Sequence, residues 1–300
     1  MLREALISFP MFGEGFVLDP PAYISIRGFN IYMYGIVIAC GFLLAVLYTG
    51  KFCHRIDMKM DDVYDLIIFA VPTAVVFARL YYVIFYFSWE SIKADPMSVL
   101  RIRDGGLAIY GGVIGAVLAL FLRCRAKKIP FGGGLDVASF GLLIGQSVGR
   151  WGNFFNREAF GYETDIFCRM GLTLGGSTIY VHPTFLYESL WNFIGLIVLH
   201  FVCKHRRKYR GQFFILYVAW YGLGRAFIEG LRTDSLWLIP DVIRVSQLLA
   251  AVTFVLAAAI YVINARRIKS GRAPLLGGAI DGHDIIASEE NSDAENESKE

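Results

Sequence analysis

Seven long, predominantly apolar stretches constrain this chain more than anything else in it. They run over residues 31–50, 63–88, 107–122, 135–155, 184–202, 212–230 and 242–263. About 20 apolar residues in a helix cross the hydrocarbon core of a bilayer, and each stretch is close to that length. Soluble domains are roughly 45–50% apolar and about 25% charged. This chain is 56% hydrophobic and 18% charged, and the excess sits in the runs. The expected fold class is therefore an all-α integral membrane protein with about seven transmembrane helices.

Basic residues orient the expected bundle. Lys51, His54, Arg55 and Lys59 follow the first stretch, and Arg123, Arg125, Lys127 and Lys128 follow the third. Lys204, His205, Arg206, Arg207, Lys208 and Arg210 follow the fifth, and Arg266, Arg267 and Lys269 end the seventh. The opposite loops hold fewer bases and mix them with acids, as in Lys93, Asp95, Arg101, Arg103 and Asp104. Lys and Arg concentrate on the cytoplasmic side, so the N-terminus is expected outside and the C-terminus inside.

Domain organisation follows. Residues 1–30, with Pro10, Pro20, Pro21 and several glycines, read as an N-terminal extracytoplasmic or interfacial segment of turns and short extended pieces. Residues 31–265 form the membrane domain, and 156–183 within it read as a small extracytoplasmic subdomain of turns and short strands. Residues 266–300 read as a cytoplasmic tail, basic and then acidic (SEENSDAENESKE), expected to be disordered. The first residues lack a basic region leading into a long apolar core, so no cleavable signal peptide is expected. The five cysteines form no CxxC or Cys/His metal spacing. They read as small apolar packing residues, with no disulfide framework and no metal. The net charge of +3 says little, and no nucleic-acid partner is expected.

Polar residues set into so apolar a chain need an explanation, because a charge at membrane depth is expensive and normally faces a cavity, a partner or a substrate. Four stretches carry them. GRWGNFFNREAFG, Gly149 to Gly161, holds Arg150, Asn153, Asn156, Arg157 and Glu158. Arg150 and Asn153 are one helical turn apart and share a face; a guanidinium fork suits phosphate oxygens. A helix cap with a snorkelling arginine explains the stretch equally well. Upstream, Gly141, Gly145 and Gly149 place three glycines on one face for close helix approach.

YGLGRAFIEGLR, Tyr221 to Arg232, sets Arg225, Glu229 and Arg232 on one helical stripe. An intrahelical ion pair is the plain reading, yet Glu229 alone would only neutralise Arg225. DGGLAIYGGVIG, Asp104 to Gly115, surrounds Tyr110 with glycines; without a following Lys-Ser/Thr it is not a phosphate loop. HPTFLYES, His182 to Ser189, opens the fifth stretch with His182 and carries Tyr187 and Glu188. Tyr34 and Arg79 are further polar points in the first two stretches. Tyr34 suits an aromatic belt, and Arg79 lies deep enough to require a cavity or an ion pair. In the expected orientation the four stretches converge on the outer face. Together they describe a site for an anionic lipid head group, with two arginines able to clamp a phosphate.

In order along the chain these motifs resemble the signatures of the bacterial prolipoprotein diacylglyceryl transferases. The resemblance rests on GRWGNFFNREAFG, the pair Tyr34–Gly35, the glycine-rich run at Asp104 to Gly115, HPTFLYE at His182 to Glu188, and GLGRAFIEGLR at Gly222 to Arg232. It implies an enzyme of the bacterial inner (cytoplasmic) membrane. Such an enzyme moves the sn-1,2-diacylglyceryl group of phosphatidylglycerol onto the lipobox cysteine of a prolipoprotein signal peptide. A thioether forms and glycerol 1-phosphate leaves, as the first step of lipoprotein maturation. No cofactor is implied. Arg225, Tyr110 and Glu229 would be catalytic. Arg150, Asn153, Asn156, Glu158, Tyr34, His182, Glu188 and Arg232 would bind substrate. Many members have histidine where this chain has Tyr110, which puts the identity of the base in question. The competing reading is a transporter or lipid-binding membrane protein for an anionic substrate; no convincing repeat between the halves supports it.

Overall fold

The computed structural model describes residues 4–13, 15–102, 105–233, 237–239 and 243–279. Asp104 and the acidic tail fall outside these residues. The long helices are α1 (Met33–Phe52), α2 (Met60–Tyr86), α4 (Ile109–Lys127), α5 (Phe131–Asn156), α6 (Thr184–Arg206), α7 (Gln212–Ile228) and α8 (Val245–Lys269); a short α3 covers Trp89–Ala94. Each expected apolar stretch is thus a helix. The basic ends of α4, α6 and α8 continue as helix past the apolar run. Lys and Arg are good helix formers, and their charge is favourable near a helix C-terminus.

Among the described residues five helices, α1, α2, α4, α6 and α8, are long and apolar enough to cross a membrane. The chain is a multi-pass membrane protein with a mostly helical fold. α7 is only 17 residues long, and α5 interleaves its apolar residues with glycines, Asp136, Gln146 and Arg150. Each of these two helices carries one of the four polar motifs.

The chain divides into two compact units. The first comprises residues 1–49 and 138–279. Its β-structure joins segments far apart in sequence. Strands β1 (Leu6–Ser8) and β2 (Val17–Leu18) form one antiparallel sheet with β5 (Met170–Leu174) and β6 (Ser177–Val181), in the order β2-β1-β5-β6. Ile7 lies opposite Leu172 and, with Ala5 and Phe9, packs on Phe154, Met170, Val181 and Phe185. The buried Arg157 ties the N-terminal segment down: Nε donates to Ala5 O (3.0 Å), Nη1 to Phe155 O (3.0 Å) and Nη2 to Asp19 (2.8 Å). A hairpin of β3 (Tyr23–Ile26) and β4 (Phe29–Tyr32) turns at Arg27–Gly28, both at positive φ, and leads into α1.

Within this unit α6 is gripped from two sides. Ser147 of α5 and Ser189 of α6 each donate a hydroxyl hydrogen bond to the other's carbonyl, at 2.9 and 2.8 Å. Trp191 of α6 and Trp220 of α7 do the same with their indole N–H groups, both at 2.9 Å. The glycine stripe of α5 faces α1: Gly141 lies near Ala45 and Thr49, and Gly149 near Ile38, while Gly145 meets open space. β7 (Tyr209–Arg210) pairs with β10 (Gly278–Ala279), and β8 (Trp237–Ile239) with β9 (Ile243–Arg244). After α8 the chain folds back, because the buried Asn264 must satisfy its amide; it donates to Leu276 O (2.8 Å) and accepts from Leu275 N–H (2.7 Å).

The second unit is residues 50–137 among those described. α2 and α4 pack along each other, and a bidentate pair joins Arg123 to Asp65 with Nη2 at 2.6 Å.

Candidate active site

Glu188, second turn of α6, is 4% exposed. A carboxylate buried that far must be paired and hydrogen-bonded, and three arginines from three places in the sequence meet it. Arg150 of α5 pairs with Oε2. Arg225 of α7 reaches both oxygens through Nη1 at 3.2 Å, and Arg232, beyond α7, donates to Oε1 at 3.1 Å. Arg225 also holds Glu229, one helical turn on, through Nη2 at 2.7 Å. Three guanidiniums therefore share two carboxylates, which leaves the cluster one positive charge. The side chains of Arg150 and Arg225 stay about one-fifth exposed (22% and 20%), so both keep N–H groups within reach of an incoming anion.

The helix contacts explain this convergence. The serine exchange sets α5 against α6 one residue from Glu188, and Trp151 adds an indole N–H to Ser189 Oγ at 3.2 Å. The tryptophan exchange sets α7 against α6 one turn deeper, with the rings stacked at 4.6 Å. Beside the ion cluster a narrow cleft of about 10 Å³ is lined by Glu188, Trp191, Asn192, Tyr221, Gly224 and Arg225. Arg232 is placed by backbone: Gly161 and Arg232 form a β-bridge, and Tyr162 N–H donates to Leu231 O at 2.9 Å. A β-carbon on Gly161 would lie 2.6 Å from that carbonyl and 2.8 Å from His182 Cβ, so only glycine lets the two segments close.

This arrangement of charges on α5, α6 and α7 coincides with a family match. The prolipoprotein diacylglyceryl transferase model matches residues 21–263. A phosphatidylglycerol–prolipoprotein diacylglyceryl transferase of Bacillus cereus (strain G9842) is 42% identical over 252 residues, covering 81% of this chain and 91% of the relative. One of the same name from Lactiplantibacillus plantarum is 42% identical over 244 residues, covering 78% and 85%. The chain belongs to the prolipoprotein diacylglyceryl transferase family.

Several expected site residues of this transferase lie around the cluster. Asn153 and Asn156 both donate to Glu158 Oε1, at 3.0 and 3.1 Å. This triad closes the end of α5 three residues past Arg150. The ring of Tyr34 lies over Gly152, where a β-carbon would come within 2.6 Å of it, and so flanks the turn that carries Arg150. His182 sits at the entry to α6 with Nδ1 3.4 Å from the Tyr187 hydroxyl. Burial depresses its pKa below the usual 6.5, which favours the neutral ring.

Tyr110 belongs to the other unit, half-exposed at the start of α4 against Tyr81. Arg79 donates to four backbone carbonyls, and among the described residues it has no ion pair. Sequence reasoning passed over Arg244 and Tyr162. Arg244 is 4% exposed; it donates to the Glu229 carbonyl and to the Tyr162 hydroxyl (2.9 Å) and lies over the Trp237 ring at 4.6 Å. Its signal was a lone arginine heading the last apolar stretch. No group of three or more His, Cys, Asp or Glu suited to a metal occurs among the described residues.

Proposed function

We propose that this chain transfers the sn-1,2-diacylglyceryl group of phosphatidylglycerol to the lipobox cysteine of a prolipoprotein. A sulfur–carbon thioether bond forms while the bond between the glyceryl carbon and the phosphate oxygen breaks. Glycerol 1-phosphate leaves with that electron pair, and the thiol proton passes to a base. The observation that carries this reading is the three-arginine ring on Glu188, in a chain 42% identical to relatives named for that transfer.

Chemically, the ring does what the leaving phosphate requires. Guanidiniums held before the reaction stabilise the charge that builds on the phosphate oxygen without reorganising. Arg150 binds the lipid phosphate and Arg225 neutralises the leaving group. Glu188 and Glu229 hold both arginines in place, and Arg232 completes the ring. Asn153, Asn156 and Glu158 shape the wall beside Arg150, with Tyr34 and His182 at its margins. The nucleophile is the thiolate, and a positive field favours it. Tyr110 orients the substrate or relays the proton, and the arginine field lowers the thiol pKa. No cofactor takes part.

The membrane setting of this reading has seven spans, the N-terminus outside, the C-terminus inside, and the site at the outer face of the bacterial cytoplasmic membrane. Purified protein incubated with phosphatidylglycerol vesicles and a lipobox peptide tests it. A diacylglyceryl mass increase on the peptide cysteine is expected; folded protein that leaves the peptide mass unchanged would overturn the proposal.

A further inference from the structure

Arg79 stands two turns from the end of α2, in a span where an unsatisfied guanidinium is costly. Four of its N–H contacts go to backbone carbonyls: Nε to Val99 (2.9 Å), Nη2 to Ser98 (2.6 Å), and Nη1 to Gly105 (2.7 Å) and Gly106 (2.9 Å). The rings of Tyr82 and Phe87 flank it at 5.7 and 5.3 Å. A fork occupied in this way is committed to the chain's own backbone and is poorly placed to take a substrate phosphate as well. It instead stitches both ends of the segment between α3 and α4 to α2.

The glycines fit that stitch. Gly105 and Gly106 have φ of +88° and +77°, a region costly for residues with a β-carbon. A β-carbon on Gly106 would lie 2.5 Å from Arg79 Nη1 and 2.6 Å from the Tyr82 ring. Two residues on, Ala108 N–H donates to Ala78 O at 3.0 Å, and α4 begins at Ile109 with Tyr110 in its first turn. The path from Arg79 to Tyr110 is therefore a short, hydrogen-bonded backbone.

We infer that Arg79 is a positioning residue for the transfer reaction: its guanidinium fixes the Gly105–Gly106 backbone and thereby aims Tyr110. This rests on the proposed transfer and on a part in it for Tyr110. Displacing a catalytic group by about 1 Å costs on the order of 10²-fold in rate, so Arg79→Ala should lower kcat by about that factor while KM for phosphatidylglycerol changes less than about threefold. Arg79→Lys, which restores part of the carbonyl bonding, should recover part of the loss.

The test is the mass assay run on full-length variants in parallel with amide hydrogen exchange. Exchange should quicken at residues 105–110 in Arg79→Ala, with α6 and α7 as protected as in the wild type. A wild-type kcat in Arg79→Ala, a raised KM with kcat unchanged, or a uniform loss of protection would each overturn the inference. Wild-type protein that transfers nothing would instead overturn the proposed function, so the two failures are separable.

Discussion

Trp191 and Trp220 hold each other across α6 and α7: each indole N–H donates to the other's backbone carbonyl at 2.9 Å, and the rings stack at 23°. The exchange gives one carbonyl of each helix a second donor and locks the register of the helices. Glu188 lies three residues before one tryptophan and Arg225 five after the other, so the register of the clasp is also the register of the ion cluster.

Trp191→Phe keeps the ring and removes the donor. It should lower transfer by roughly tenfold with the protein still folded, through a looser Glu188–Arg225 pair. Gly224→Ala should be worse, because its β-carbon would run 2.7 Å from Trp191 Cε2; overpacking of this kind costs about 1–3 kcal/mol. Turnover and thermal unfolding in detergent, measured together, separate the two effects. Undiminished turnover in both variants would dissociate the clasp from the site.

Glu188→Gln keeps the shape of the hub and removes its charge. Arg150 and Arg232 would then lose the carboxylate that pairs them while Arg225 keeps Glu229, and breaking a buried pair of this kind costs about 3–5 kcal/mol. Transfer should fall by at least about 10²-fold, with Glu188→Asp recovering part of it. A Glu188→Gln enzyme with wild-type kcat and KM would show that the ring needs no central carboxylate.

Arg225→Lys preserves charge and loses the fork that reaches Glu188 and Glu229 together. A drop in kcat of about 10²–10³-fold is expected, with Arg225→Ala and Arg150→Lys also severely impaired. Kinetics at saturating phosphatidylglycerol distinguish the roles: Arg150→Lys should raise KM more than Arg225→Lys does.

Tyr110→Phe removes only the hydroxyl. Slower transfer is expected, and Tyr110→His should be tolerated, since the imidazole can orient or relay at the same position. Turnover of Tyr110→Phe equal to the wild type would remove the hydroxyl from the mechanism.

His182 supplies a pH dependence of known sign. Burial holds its pKa below 6.5 in the folded protein, whereas the unfolded chain takes up the proton near 6.5. Below that pH the unfolded state binds more protons, so stability falls as pH drops through this window until the folded-state pKa is passed. The melting temperature should decrease from pH 7.5 to 5.5, less steeply in His182→Asn. An identical slope in the variant would assign the titration elsewhere.

Much of the fold was legible before any coordinates, because hydrophobicity is local: seven apolar runs became seven helices within a few residues of their expected ends. The polar motifs were legible for a related reason. A charged residue is costly in an apolar run, so Arg150, Arg225 and Glu229 marked themselves. Pairing was not legible. Nothing in HPTFLYE says that Glu188, rather than His182, is where Arg150, Arg225 and Arg232 meet; that depends on the register of α6 against α5 and α7, set by Ser147, Ser189, Trp191 and Trp220. Nor does the chain's order reveal that Ile7 packs beside Leu172, or that Arg79 satisfies itself on four carbonyls. Which residues had to be explained was determined by the sequence, through the local cost of placing charge among apolar neighbours. Which of them touch was decided by the tertiary structure, because a buried guanidinium takes whatever acceptors packing brings within about 3 Å.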